Sequence, residues 1–218
     1  GSDRVEKEGF SEEELKKNQP DFKNTRMVSI FEGILKEKPH YNYRLPVNSI
    51  DFDRNFYFPN TEFQGRPDYK SLWNQFEKDV SLISSNDPGI YAETLLQILQ
   101  KYTVNIPSST MHLPDVSLFD HLKTSAAFAV CLYDFMEANG KDTIDKEDKP
   151  VLLVGGDISG IQQFIYDIVS KYAAKNLKGR SFYLELLVKS VLKRILDELG
   201  LYEANIVYAS GGGFYLLA

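Results

Sequence analysis

From Pro67 onward the apolar positions step by three and four. Tyr69, Leu72, Trp73, Phe76, Val80 and Ile83 predict one amphipathic helix. Asn86-Asp87-Pro88-Gly89 stops it, and Ile90, Leu95, Leu96, Ile98 and Leu99 predict a second. Ile106 to Pro114 reads as a proline-held loop, after which Asp115 stands at an N-cap position. Leu118, Leu122, Ala126, Ala129, Val130 and Tyr133 then mark one face of a long helix, with Asn139-Gly140 as its C-terminal signal. Upstream, Glu6 to Lys17 is an acidic helix or frayed tail. Met27 to Leu35 and the aromatic-rich Tyr41 to Phe58 predict short strands or extended segments.

The pattern changes after the charged stretch Lys141 to Lys149 and Pro150. Val151-Leu152-Leu153-Val154 is a continuous apolar run, as expected of a strand buried on both faces. Gly155-Gly156-Asp157 and Ser159-Gly160 read as a turn. Ile161, Phe164, Ile165, Ile168, Val169, Tyr172 and Ala173 predict a helix. A second helix is expected from about Ser181, with Leu184, Leu187, Val188, Val191, Leu192, Ile195 and Leu199 on one face and Gly200 at its end. Ile206–Ala209 and Phe214–Leu217 read as strands joined by Ser210-Gly211-Gly212-Gly213. The fold class is therefore α+β. A mainly helical N-terminal part with short strands (1–145) precedes a β-α-α-β-β unit (150–218) that needs a further helix and strand to cover its face.

Charge follows the same division. The net charge is -6 with a pI near 5.2, which argues against a free-standing basic nucleic-acid binder. From Pro150 onward 7 Lys/Arg face 6 Asp/Glu, leaving 18 against 25 before it, so the acidic excess belongs to the first part. Cys131 is the only cysteine, which excludes an intrachain disulfide and points to a reducing, cytoplasmic setting. No apolar run reaches the length of a membrane span. Gly1-Ser2 without a methionine reads as the start of a piece excised from a longer protein.

In palm-type polymerases and cyclases two divalent metals clamp an attacking hydroxyl and a triphosphate. Asp157 occupies the position of the carboxylate that leaves the first strand, but the hairpin offers Gly211-Gly212-Gly213-Phe214 where two acids belong. Hard cations want oxygen ligands, and one carboxylate does not hold two metals. Independent catalysis is therefore not expected. Gly155, Gly156, Ser159 and Gly160 are either a phosphate cradle or simple turn formers with Asp157 as a cap, and turns are the commoner use. Lys175, Lys178 and Arg180 lie between the predicted helices, where they are solvated or meet phosphates. Asp120-His121 suggests a phosphohydrolase metal site, but with just His40, His112 and His121 in the chain the ligand count favours a polar helix face. Tyr41, Tyr43, Phe52, Phe56, Tyr57 and Phe58 read as aromatic core rather than a base-stacking surface, having few basic neighbours. Cys131 reads as a packing residue.

Three ordered motifs carry a resemblance: Val154 to Ile165, Leu177-Lys178-Gly179-Arg180-Ser181-Phe182, and Ile206 to Phe214. They closely resemble the first palm domain of the large subunit of type III-A CRISPR effector complexes. Lys101 to Thr110 and Pro114 to Thr124 resemble the end of that family's N-terminal HD domain, and Asp3-Arg4 to Gly9 an earlier piece of it. The resemblance implies an HD-domain remnant with connector (1–145), then the first half of a degenerate ferredoxin-like, nucleotidyl-cyclase palm (150–218). It implies a parent that makes cyclic oligoadenylates from ATP with Mg or Mn and cuts single-stranded DNA. Its partners would be a second palm, the other subunits, and guide and target RNA through the complex. This chain would supply a scaffold and the non-catalytic half of the ATP pocket, with Ser159, Gly160, Asp157, Ser210 and Gly211 as nucleotide contacts. Asp157, Asp120 and His121 are the metal candidates that remain. The competing readings are a stand-alone nucleotidyl cyclase and a pure interaction module.

Overall fold

Asp68 opens the first long helix by accepting the Ser71 amide at 2.9 Å, which satisfies a backbone donor that the helix itself leaves free. The computed structural model describes residues 23–31, 43–52, 54–63, 65–110, 113–166 and 173–218. The acidic opening, the Asp3–Gly9 motif, His40, Tyr41, His112, Ile168, Val169 and Tyr172 lie outside the described residues. The chain forms two compact units that divide between Leu122 and Lys123.

In the first unit a helical turn, α1 (Arg54–Tyr57), precedes α2 (Tyr69–Ser81) and α3 (Pro88–Thr103). Asp87 belongs to α3 and does more than stop α2, because its carboxylate accepts the Gly89 and Ile90 amides at 2.8 and 3.1 Å. Val47, Leu72 and Tyr102 form the core, packed by Tyr69, Phe76, Ile98 and Ile106. Among the described residues of the expected strands only isolated bridges form, Val28 with Arg44 and Arg44 with Asn60, while 32–42 and 53 lie outside the described residues. The aromatic segment departs from expectation in two ways. Phe56 and Tyr57 are helical, and of the described aromatics Phe56 is core while Tyr43, Phe52, Tyr57 and Phe58 are exposed.

Helix α4 (Leu118–Asn139) begins two residues later than Asp115 would place it. Ser117 precedes its first residue, and the Ser117 carbonyl accepts the His121 amide, so Asp115 lies in the preceding loop. The C-terminal signal holds: Gly140 adopts φ 59°, its amide reaches the Glu137 carbonyl, and the Lys141 amide reaches Met136. This is a Schellman closure.

In the second unit the buried positions of α4 are Ala127 and Cys131, one residue along from the expected Ala126–Val130 stripe. The unit follows the β-α-α-β-β order: β1 (Leu153–Asp157), α5 (Ile161–Tyr166), α6 (Ala173–Leu199), a 3₁₀ turn (Glu203–Asn205), β2 (Ile206–Ser210) and β3 (Gly213–Leu217). The sheet order is β1-β3-β2, all antiparallel, so β3 is central. Val188, Leu192, Phe214 and Leu216 make the core between α6 and the sheet, with Val154, Ile158, Ile195 and Ile206 packed around it.

The second unit departs from expectation at two places. β1 is not buried on both faces: Val154 turns to the core that α6 covers, while Leu153 on the opposite face and Leu152 just before the strand are exposed. And α6 is already helical at Ala173, well before Ser181, so Lys175, Lys178 and Arg180 lie on the helix instead of in a connector. One Gly within 27 residues lowers helix propensity too little to break it.

Candidate functional site

The hairpin turn is dictated locally. Gly211 (φ 61°) and Gly212 (φ 93°) fill a two-residue loop between the paired Ser210 and Gly213, the left-handed geometry that a tight hairpin requires and that glycine adopts without cost.

Cross-strand register decides what surrounds it. Gly155 and Gly156 are not turn residues; they sit within β1 opposite Tyr215 and Phe214. A Cβ on Gly156 would lie 2.4 Å from the Phe214 ring, and one on Gly155 would lie 2.8 Å from the Tyr215 ring. These glycines make room for aromatic rings from the central strand, and the phosphate-cradle reading does not extend to them.

Residues paired in register point to the same face of the sheet. Asp157 pairs with Gly213, which pairs with Ser210. A Cβ on Gly213 would stand 3.5 Å from Asp157 Oδ1, so position 213 is where a second carboxylate would meet the first. Phe214 faces the opposite way, 8 % exposed in the α6 core. Of the two positions the sequence marks as lost acids, Gly213 alone shares the Asp157 face. The same face carries Tyr208 and Tyr215, half exposed with ring centroids 6.4 Å apart.

The remaining candidates form the adjoining turn. Ser159 and Gly160 are exposed, Gly160 has φ 79°, and its carbonyl accepts the Phe164 amide at 3.0 Å to open α5. The Ile158 amide donates to the Gly212 carbonyl at 3.1 Å and ties this turn to the hairpin. The structure thus gathers Asp157, Ser159, Gly160, Ser210 and Gly211 at one end of the sheet. Beneath the hairpin a cavity of about 450 Å³ is lined by Ile161, Ile165, Leu184, Val188, Ser181, Glu185, Lys189, Ala209 and Ser210 to Gly212. Asp157, Ser159 and Gly160 do not line it. Glu185 and Lys189 pair at 2.9 Å at its rim.

Arg180 donates to the Phe164 carbonyl and stacks over the Phe164 ring, so it joins α6 to α5. Asp120 and His121 are adjacent residues in the first turn of α4, in the other unit from Asp157. Among the described residues no group of three or more His, Cys, Asp or Glu side chains is placed to hold a metal ion. A two-metal centre does not fit the residues present, since Asp157 is the one carboxylate of the gathered set.

Asn205 escaped the sequence reading. It is fully buried; its amide nitrogen donates to the Leu217 carbonyl at 2.9 Å and to Cys131 Sγ at 3.7 Å, and its oxygen accepts the Tyr202 amide at 3.2 Å. An asparagine after a helix-ending glycine gives no periodic signal. Cys131 is a packing residue, 3 % exposed, and burial pushes its thiol pKa up, away from the reactive thiolate. In the first unit Asp79 accepts hydrogen bonds from Lys101 Nζ at 2.6 Å and Tyr102 Oη at 2.7 Å, which hold its carboxyl below the usual carboxylate range.

Residues 150–218 match the family model of Csm1 subunit domain B. The chain is similar to the Cas10/Csm1 single-strand-specific deoxyribonuclease (subtype III-A) of Methanocaldococcus jannaschii, 38% identical over 88% of this chain and 28% of the relative. It therefore spans little more than a quarter of that curated relative. The crystal structure of Csm1 from T. onnurineus superposes with a TM-score of 0.71 at 30% identity, covering 89% of this chain and 26% of that one. Csm1–Csm4 cassettes in complex with one ATP and with cA4 match at TM-scores of 0.69 and 0.68, with 30% and 29% identity. Each match covers 89% of this chain and 25% of the cassette chain. No helix among the described residues is long and apolar enough to cross a membrane.

Proposed function

We propose that this chain, similar to one segment of the Cas10/Csm1 proteins of type III-A CRISPR systems, is the structural, non-catalytic wall of an ATP pocket in such a protein. In this reading residues 1–145 are the C-terminal part of an HD-like domain with its connector, and 150–218 are the first half of a degenerate palm. Ser159, Gly160, Asp157, Ser210 and Gly211 contact the nucleotide. A second palm supplies the catalytic carboxylates and the divalent metal (Mg or Mn) for cyclic oligoadenylate synthesis. The other subunits bring guide and target RNA, in a cytoplasmic ribonucleoprotein.

One observation carries the proposal: the in-register pair Asp157–Gly213. It leaves a single carboxylate on the open face, flanked by two exposed turns with backbone amides and the Ser159 and Ser210 hydroxyls. Such a surface suits a polar ligand that accepts from the turn amides and serine hydroxyls and donates to the carboxylate, and it lacks the ligands for metal-assisted transfer. The nucleotide-bound cassettes are further support, because their ligands are ATP and cA4.

Calorimetric titration with ATP tests it. The chain alone should give little or no heat, and the complete Cas10/Csm1 protein should bind, with Ser159→Ala lowering affinity. Unchanged affinity in Ser159→Ala overturns the residue assignment. Absence of binding by the complete protein overturns participation in an ATP pocket, and divalent-dependent ATP turnover by the chain alone overturns the non-catalytic role.

A further inference from the structure

Ser159-Gly160 is bracketed by two contacts to a single residue of the other turn. On one side the Ile158 amide donates to the Gly212 carbonyl at 3.1 Å. On the other, the Ile161 side chain lies over Gly212 so closely that a Cβ there would stand 1.8 Å from Ile161 Cδ1 and 3.3 Å from Cγ1. Gly212 is buried, although its neighbour Gly211 is exposed and a Cβ on Gly211 would meet nothing within 4 Å.

We propose that Gly212 is a positioning residue, setting the separation between the Ser159-Gly160 turn and the Ser210-Gly211 turn; this rests on the nucleotide-site reading above and deepens it. The physical basis is threefold. A side chain at 212 must push aside the Ile161 Cδ1 methyl and crowd Cγ1, and because Ile161 directly follows Gly160 this disturbs the packing that joins the two turns. The φ of 93° is a conformation that residues with a Cβ rarely adopt, so the same substitution also distorts the hairpin that carries Ser210 and Gly211. Finally, Ile161 and Gly212 both line the 450 Å³ cavity, so a change at their contact alters the space directly beneath the hairpin. Hydrogen-bonding sites tolerate displacements well under an ångström, so a hairpin backbone distorted at 212 is enough to misplace the Ser210-Gly211 contacts.

The test uses the complete Cas10/Csm1 protein, with ATP affinity and melting temperature measured in parallel. Gly212→Ala should weaken ATP binding about tenfold or more. The double variant Gly212→Ala/Ile161→Ala, which removes the clash but not the backbone strain, should regain part of that loss. Gly156→Ala, which strains the Phe214 core without touching the turn-to-turn link, should lower the melting temperature and leave ATP affinity in place. Wild-type affinity in a folded Gly212→Ala protein overturns the proposal. So does an equal affinity loss in Gly156→Ala at matched melting temperature, which would make the effect one of general stability. If Gly212→Ala does not fold, Ile161→Ala alone decides: it removes the side chain that fixes the turn, and unchanged ATP affinity overturns the proposal. Failure of the underlying reading looks different, because the wild-type protein would then not bind ATP or would ignore Ser159→Ala.

Discussion

The ring of Phe214 fills the place where a side chain at position 156 would begin: a Cβ on Gly156 would lie 2.4 Å from Phe214 Cζ. The pair lies in register across β1 and β3 and faces the α6 core, where the ring is held by Val188, Leu192 and Leu216 and has nowhere to swing. Gly156→Ala should therefore cost about 1–3 kcal/mol by overpacking. Gly155→Ala meets Tyr215, whose ring is half exposed and free to tilt outward, and should cost less than about 1 kcal/mol. Urea unfolding of the two variants side by side checks the order; equal losses would contradict it.

The opposite facing of Gly213 and Phe214 separates two substitutions that look alike in sequence. Gly213→Asp adds a carboxylate beside Asp157 on the open face, and should create weak Mn²⁺ binding detectable by water-proton relaxation while the fold persists. Phe214→Asp buries an unpaired charge and removes a core ring, and should cost at least about 3 kcal/mol. A folded, Mn²⁺-binding Phe214→Asp protein would contradict the face assignment.

Asn205 joins the 3₁₀ turn, β3 and α4 through three hydrogen bonds in a fully buried position. Asn205→Ala strands the Leu217 carbonyl and the Tyr202 amide without partners, and should lower stability by about 2 kcal/mol. Denaturant titration reads the loss directly, and a near-neutral outcome would mean that water replaces the side chain.

The Asp79–Lys101–Tyr102 cluster makes stability depend on pH at both ends. Hydrogen bonding to Lys101 lowers the Asp79 carboxyl, so its contribution is complete above the ordinary carboxylate pKa and fades as pH falls through the lowered folded value. Bonding to Asp79 raises Lys101, so that contribution is complete below the ordinary ammonium pKa and fades as pH rises through the raised value. Asp79→Asn should flatten the acid limb of the melting temperature against pH. An unchanged acid limb would assign it to other carboxylates.

Much of this protein was legible in its residues because the signals are local. Three- and four-residue apolar steps located α2, α3 and much of α6. Gly140 and Gly200 marked helix ends that the structure keeps, and Gly211-Gly212 marked the hairpin. Each of these is a conformational preference within a few residues, which sequence carries by itself. Boundaries were less legible: a charged, glycine-containing stretch concealed that α6 already runs from Ala173 through Arg180, since helix continuation depends on packing downstream as well as on propensity.

The character of the candidate site was decided by tertiary structure. Gly155 and Gly156 resemble a phosphate-binding turn in one dimension, and only register with β3 shows them making room for Tyr215 and Phe214. Asp157 meets Gly213 across 56 residues of chain, and Asn205 meets Cys131 across 74. Contacts of that range leave no periodic trace, because they arise from which faces the sheet presents once its strands are paired.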